Sequence, residues 1–347
     1  MAEAVKLSVV VVNWNRRELL EACLKSLERQ HLQPFEVILV DNGSTDGSRE
    51  MMEKKFGKSE AFRLRIVANR DNRGFCEANN QGFAVAQGEF VALLNNDAEA
   101  EPGWLEELLR AFEGRSEVGM AASKILVWED PSRIDKVGHL IYLDGQNRGR
   151  GTGEIDRGQY DSVEEVLWPD GCAAMYRRSM LDEIGGFDED FFAYGDDAEL
   201  GLRARIAGWS CLYIPTARVR HHRGATLGLL SWRRLELIER NRVLLAVKLF
   251  PWSLLCLNGV YFLARVGAGI WAGARNRGEV SRFPGLRGKL GIVCTILKAD
   301  LKAFWMAPKM LRKRLRLRPI RRLRSSQVRS LLARHQIGLK ELSEQAL

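Results

Sequence analysis

No two cysteines in this sequence stand at the spacing of a metal site or a redox pair; the six, at positions 23, 76, 172, 211, 256 and 294, are scattered singly. That argues against a disulfide framework or a zinc module and predicts reduced thiols packed as small apolar side chains. Glycine is missing where a phosphate loop would need it. The first strand-like run is followed by "NWNRRELLEAC", so a nucleotidyltransferase on a similar sheet, which would carry a Gly-rich loop there, is disfavoured. No internal repeat is evident. The N-terminal apolar run is too short for a signal peptide, so the chain is expected to start in the cytoplasm. Acids are scarce in one half only. Residues 1–200 hold 23 Lys/Arg against 38 Asp/Glu, and residues 201–347 hold 30 against 6. An acidic front and a strongly basic rear predict two jobs, with an anionic surface or ligand facing the rear.

What is present reads as α/β. A chain of 347 residues with 46% apolar content buries a full core and holds more than one structural unit. Apolar runs at Leu7–Val12, Phe35–Val40, Leu64–Val67 and Phe90–Leu94 alternate with helical patterns at Arg17–Gln30, Ser48–Phe56 and Gly74–Gln87. Such alternation predicts parallel βαβ units covered on both faces. Ligands of these sheets bind beyond the carboxyl ends of the strands, where Asn13, Asp41 and Asp97 fall. Residues 139–160, rich in Gly and Arg, read as a mobile loop or hairpin. A helix is expected near Asp196, and a β-branched stretch around Tyr213–Val219 closes the first unit.

Asp97 has two readings. Alone it would cap the helix beginning near Trp104. Beside "VDNGSTDGS", with Asp41 on the same rim, it reads better as a hard carboxylate for Mg²⁺ or Mn²⁺ gripping phosphate oxygens. Asp196-Asp197-Ala198-Glu199 is either the acidic first turn of a solvated helix or, walled by Phe191, Phe192 and Tyr194, a carboxylate raised in pKa to serve as a general base. His221-His222, two of five histidines, end another strand-like run. They are either surface residues or a metal or phosphate contact.

Several motifs now stand in series: "SVVVVNWN", "VILVDNGSTDGS", "NRDNRGFCEANNQG", "FVALLNNDAEAEPGWL", "GGFDEDFFAYGDDAELGLRARIAGW" and "VRHHRGATLG". Over roughly residues 6–250 their order and spacing resemble the family-2 glycosyltransferases of GT-A fold, in particular the bacterial rhamnosyltransferase-like branch. The resemblance implies an inverting transferase with a Rossmann-like, mostly parallel sheet flanked by helices. It places Asp41 at the nucleobase or ribose of a nucleotide-diphospho-sugar, dTDP-rhamnose favoured and a UDP-sugar possible, with Asn13, Asn15, Asn42, Gly74, Asn79, Asn95 and Asn96 also at the donor. Asp97 would hold the divalent metal with His221, which precedes Gly224 and Thr226 as the family's His precedes a Gly and a small hydroxyl residue. Asp197 would be the catalytic base. Trp168, Asp170, Gly171, Asp196 and Arg203 would lie on the acceptor side, and the loop arginines Arg148, Arg150 and Arg157 would touch donor or acceptor. Two departures stand out. Asn95 replaces an Asp common in relatives, and "GDDAE" replaces Phe-Glu-Asp-x-Asp. The implied organisation is a glycosyltransferase domain over 1–245, its nucleotide-sugar half about 1–100 and acceptor half about 101–245, followed by a helical, basic, membrane-associating region over 246–347.

The rear half supports the last expectation. Phe250–Ala274 carries one charge, Arg265, and Leu301–Arg324 carries ten Lys/Arg and no acid. The first stretch is long enough to span a bilayer. A single span would separate the catalytic domain from the Arg-rich tail, although nucleotide sugars and Lys/Arg clusters both belong on the cytoplasmic side. In-plane helices with Trp252, Trp271 and Trp305 as anchors satisfy both, placing the protein on the cytoplasmic face of the inner membrane against an anionic surface. The acceptor would be a glycan or lipid-linked glycan. A packed core helix with a solvated basic face is the plainer alternative. Nucleic-acid binding would call for a stacking motif that is lacking, so no nucleic acid is expected. A non-catalytic membrane protein on the same fold would be suggested by loss of Asp97 or Asp197, and both are present.

Overall fold

The strands form where β-branched and Leu-rich runs occur, and they stop where polar residues interrupt them. In the computed structural model, which describes residues 6–223, 231–283 and 285–344, these are β1 (Leu7–Asn13), β2 (Phe35–Asp41), β3 (Phe62–Ala68), β4 (Phe90–Leu94), β5 (Ala98–Ala100), β6 (Val118–Val127), β7 (Ile134–Lys136), β8 (His139–Ile141), β9 (Asn147–Gly149), β10 (Glu164–Glu165), β11 (Ala173–Arg177) and β12 (Ser210–His221). Between them run α1 (Arg17–Glu28), α2 (Ser48–Phe56), α3 (Gly74–Val85), α4 (Trp104–Arg110), α5 (Arg178–Ile184) and α6 (Asp196–Ile206). The main sheet has the order β10-β12-β6-β11-β4-β1-β2-β3, with β5 on β12 and β7 on β6. Its β4-β1-β2-β3 part is parallel, as are β6 and β12, whereas β11 runs antiparallel to both of its neighbours. The expected α/β architecture is therefore present, with the antiparallel strand inserted between two parallel blocks.

Residues of β2 and β4 are buried throughout, and β1 nearly so, as expected of parallel strands covered on both faces. Local chemistry sets the helix starts. The Asp46 carboxylate accepts the backbone N–H of Arg17 at the start of α1 and of Ser48 at the start of α2, satisfying donors that a helix leaves free. Residues 139–160 are a structured hairpin region rather than a mobile loop, since β8 pairs with β9 and Thr152 Oγ1 donates to the carbonyls of Asp135 and Gly149.

The chain divides into two compact units, residues 1–139 with 149–223, and residues 140–148 with 224–347. The expected boundary at 245 falls inside α7 (Trp232–Leu249), which belongs wholly to the second unit. That unit continues with α8 (Trp252–Ala274), α9 (Gly278–Ser281), α10 (Gly285–Arg316), α11 (Ser325–Arg334) and α12 (Leu339–Glu344). Among the described residues α8 is the one helix long and apolar enough to cross a membrane. Its Arg265 shares a face with the buried Leu254 and Ala272. From there it reaches Glu239 of α7 with two hydrogen bonds, 2.9 and 2.7 Å, and Asp144 at 2.5 Å. The opposite face of α8 leaves Trp252, Val260, Leu263 and Ile270 exposed. On α10, Leu286, Leu290, Val293, Leu297, Leu301 and Phe304 form one exposed apolar stripe. Four cysteines are buried as expected; Cys256 of α8 and Cys294 of α10 are not, because both stand on outer faces of their helices.

Candidate active site

The carboxyl ends of β1 and β2 meet in register, with Asn13 opposite Asp41. Asn13 donates to Ser44 Oγ at 3.0 Å and to Asp41 Oδ1 at 3.4 Å, and accepts from Asn96 Nδ2 at 2.7 Å. Asn15 accepts the Thr45 N–H at 2.9 Å, and its own N–H donates to Ser44 Oγ at 2.8 Å. Asn42 closes the next turn, donating to Asn72 Oδ1 and the Gly74 carbonyl and accepting from Asn69 and the Arg73 N–H. Asn13, Asn15, Asp41, Asn42 and Asn96 thus form one web at the strand tips. Gly74 stands beside it at φ +82°, where a Cβ would lie 2.5 Å from the Phe192 ring. Asn95 continues the β4–β11 pairing through its N–H to the Cys172 carbonyl, 2.8 Å. Asn79 is apart from the web, its amide donating to Phe75 within α3.

Beyond β4, Asp97 is buried, and its Oδ1 has no hydrogen-bond partner. β5 pairs with the end of β12 so that Ala98 faces His221, bringing His221 Nε2 to 3.4 Å from that oxygen. The other ring nitrogen of His221 lies 2.8 Å from Asp135 Oδ2, and Arg223 Nε stands 2.9 Å from the same carboxylate. Burial works to lower the His221 pKa, but Cys172, Asp135 and Asp97 outweigh it and hold it well above the ordinary value. The set fits a divalent cation on the donor chemistry. It offers a buried carboxylate oxygen with no hydrogen bond and an imidazole whose second nitrogen is oriented by a carboxylate, and a bound cation would take the place of the Nε2 proton that faces Asp97. His222 stacks on Trp128 at 4.1 Å instead. Gly224 and Thr226 lie outside the described residues.

A third group assembles at the start of α6. The chain enters it through left-handed Phe192, Tyr194 and Gly195, and the Phe192 carbonyl takes the N–H groups of Phe75 and Cys76 in α3. Asp197 Oδ2 lies 3.3 Å from His139 Nε2, which lies 3.0 Å from Asp170 Oδ2. Lys136 Nζ is 2.6 Å from the same Asp170 oxygen. Burial raises the pKa of Asp197. It raises that of Asp196 further, helped by the Asp197 charge. For Asp170 burial acts in the same sense, but Lys136 and His139 prevail and hold it well below the usual carboxylate range.

Gly171 packs at the foot of this group, where a Cβ would meet Phe75 at 3.3 Å and Asp197 Cβ at 3.9 Å. Two acceptor-side expectations need correction. Trp168 is fully buried and backs the His139 ring at 6.0 Å. Arg203 commits its guanidinium to Glu199 and to the carbonyls of Ile184, Gly185 and Gly186, so it fastens a turn to α6. Arg150 is likewise engaged, with Glu164 at 2.8 Å and the Val137 carbonyl, while Arg157 is exposed. Asp135, Lys136 and His139 were not singled out from the sequence. The signal available was "RIDKVGH", two charges between β-branched residues ahead of a histidine.

Residues 8–185 match the family described as Glycosyl transferase family 2. An N-acetylglucosaminyl-diphospho-decaprenol L-rhamnosyltransferase of Mycobacterium tuberculosis is 29% identical over 243 residues, which cover 64% of this chain and 78% of that protein. An O-antigen biosynthesis protein of Myxococcus xanthus is 29% identical over 230 residues, 64% of this chain but 18% of that one. Among solved structures, GalNAc-T7 with UDP, GalNAc and Mn²⁺ shares the fold at a TM-score of 0.60 and 15% identity, over 77% of this chain and 51% of that one.

Proposed function

The chain belongs to glycosyl transferase family 2, and from that membership we propose that it transfers a sugar, L-rhamnose favoured, from a nucleoside diphosphate to a hydroxyl of a glycan or lipid-linked glycan in cell-surface polysaccharide synthesis. The observation that carries this reading is the buried Asp97 oxygen, free of hydrogen bonds and 3.4 Å from His221 Nε2, beside the strand-tip web of Asn13, Asp41 and Asn96. In this reading Asp41 receives the base or ribose of the donor, with Asn13 and Asn15 fixing the loop around it. Asp97 and His221 would hold Mg²⁺ or Mn²⁺, which would neutralise charge on the diphosphate. Asp197 takes the proton of the acceptor hydroxyl, whose oxygen attacks the anomeric carbon. The bond from that carbon to the β-phosphate oxygen breaks on the opposite face, and its electron pair leaves with the nucleoside diphosphate. In this reading the transfer is a single, inverting displacement, by analogy with inverting glycosidases; the nearby Asp170 is committed to Lys136 and His139, which leaves Asp197 as the base.

Thermal unfolding with a panel of nucleoside diphosphates and their sugars, with and without Mn²⁺, tests the donor site. A ligand that binds the native state raises Tm by mass action. The expected result is a Mn²⁺-dependent rise with dTDP or UDP that Asp97→Ala removes. No rise with any nucleotide would leave a non-catalytic membrane-surface protein on the same fold.

The second unit is read as a membrane attachment on the cytoplasmic face. Its exposed apolar faces on α8 and α10 stand beside a strongly basic stretch: residues 250–324 hold 17 Lys/Arg and two acids. The Arg265–Glu239–Asp144 ties favour helices lying along an anionic leaflet over a crossing helix, because a crossing α8 would carry these charges into hydrocarbon. At about 1.5 Å per residue α10 is roughly 48 Å long, well beyond a hydrocarbon core of about 30 Å. The lipid-diphosphate in the name of the mycobacterial relative fits an acceptor held at such a surface.

A further inference from the structure

His139 joins two carboxylates of unequal character. Its Nε2 faces Asp170 Oδ2 at 3.0 Å and Asp197 Oδ2 at 3.3 Å, while its Nδ1 is buried without a partner. A proton on Nδ1 would bury an unsatisfied N–H; one on Nε2 meets Asp170, with Asp197 Oδ2 beside it at ion-pair distance. The ring therefore carries a proton on Nε2. Asp170 has other support. Lys136 lies 2.6 Å from its Oδ2, and the Cys172 N–H donates to its Oδ1 at 2.9 Å. Trp168 packs alongside the ring, so the imidazole is fixed from the side and from below.

The ligand atoms of His139, Asp170 and Asp197 lie within 4.8 Å of one another, close enough for a cation. The Lys136 ammonium already supplies positive charge at the shared Asp170 oxygen. His139 also lacks the carboxylate behind its second nitrogen that His221 has. The cluster is built to handle a proton, not a metal.

We propose that His139 is a positioning residue for the acceptor-activating carboxylate: its Nε2 edge, 3.3 Å from Asp197 Oδ2, steadies that carboxylate, and Asp170, held by Lys136, fixes the ring by accepting its Nε2–H. The proposal rests on Asp197 being the base. The titratable groups facing Asp197 are Asp196 beside it on α6, His139, Asp170 and Lys136 across the site, and Tyr176 of β11. Among them His139 and Lys136 favour the ionised form, and His139 is the one 3.3 Å from its Oδ2.

The test is a pH series of Tm for Asp197→Asn in three backgrounds: otherwise wild type, His139→Ala and His139→Gln. Because folding raises the Asp197 pKa, native stability is greatest below the unfolded pKa and falls as pH rises through the folded one. Asn cannot ionise, so its Tm gain grows over that range and levels off at the folded pKa. In the His139→Ala background the levelling point should move up by about one pH unit, the scale on which a favourable partner within about 4 Å shifts a carboxylate. His139→Gln, which keeps a donor, should restore it; His139→Leu, which fills the space without one, should behave as His139→Ala and replaces it if that variant does not fold. An unmoved levelling point would overturn the proposal and leave His139 as packing. Transfer from dTDP-rhamnose to an N-acetylglucosaminyl-diphospho-prenol separates the two readings. If Asp197→Asn keeps transfer, the base assignment fails. If transfer is lost but the levelling point stays, His139 alone fails.

Discussion

Asp196 is buried beside Asp197, and burial with that neighbouring charge holds its pKa well above the usual range. A carboxyl of this kind stays protonated in the folded chain at pH values where the unfolded chain ionises. Its contribution to stability is therefore complete below the unfolded pKa, about 3.9, and is lost as pH rises toward the folded value, at up to about 1.4 kcal/mol per pH unit. Asp196→Asn should melt with wild type near pH 4 and above it at pH 8. Equal Tm values at both pH values would show Asp196 ionised in the fold. At this scale the sequence spoke unevenly. Asp97, Asp197 and His221 could be picked out as candidates because each stands at or next to the end of an element, with a charge where apolar residues would otherwise run on. Arg203 also advertised its structural role, since Glu199 lies four residues before it on one helix. The burial of Trp168 could not be read from one chain, because a tryptophan suits a core and a sugar-binding face equally well.

The alternating elements from β1 to β4 were legible within a residue or two, whereas the ten-residue β6 was not singled out and β12 only around its middle. Strands β1, β2 and β4 announce themselves by unbroken apolar runs, and α1 to α3 by spacing and flanking turns. The short strands were not. β7 and β8 are three residues each, too few for alternation to register, and they carry Asp135, Lys136 and His139. Their place in the site follows from pairing of β7 with β6, a long-range fact with no local signature. Where the elements meet, Gly74 is the tightest point: it opens α3 at φ +82°, against the Phe192 ring that leads toward α6. Gly74→Ala combines a left-handed alanine with a clash, a cost of about 2–4 kcal/mol. Urea unfolding should show a lower midpoint at unchanged slope, together with weaker nucleotide binding because the turn next to Asn42 must shift. An unchanged midpoint would mean that Phe192 moves aside freely.

For the whole molecule, the charge division of the sequence corresponds to the two units, an acidic transferase fold and a basic helical one, although the boundary could not be placed because α7 reads as a generic amphipathic helix. If the second unit lies along a leaflet, the purified protein should sediment with vesicles containing phosphatidylglycerol, less with pure phosphatidylcholine, and less again as salt screens the cations. Tight, salt-sensitive binding to DNA without vesicle binding would reverse that reading. The uneven exposure of the thiols has a practical consequence. Cys256 and Cys294 are exposed on the two lipid-facing candidates, α8 and α10, while the other four cysteines are buried. A maleimide dye added to the native protein would mark those helices and spare the transferase fold, so its colour on adding vesicles would report whether the labelled helices move into lipid. The same two sulfurs would be the first to form intermolecular crosslinks in an aerated stock, which makes reductant a condition of keeping the protein monodisperse.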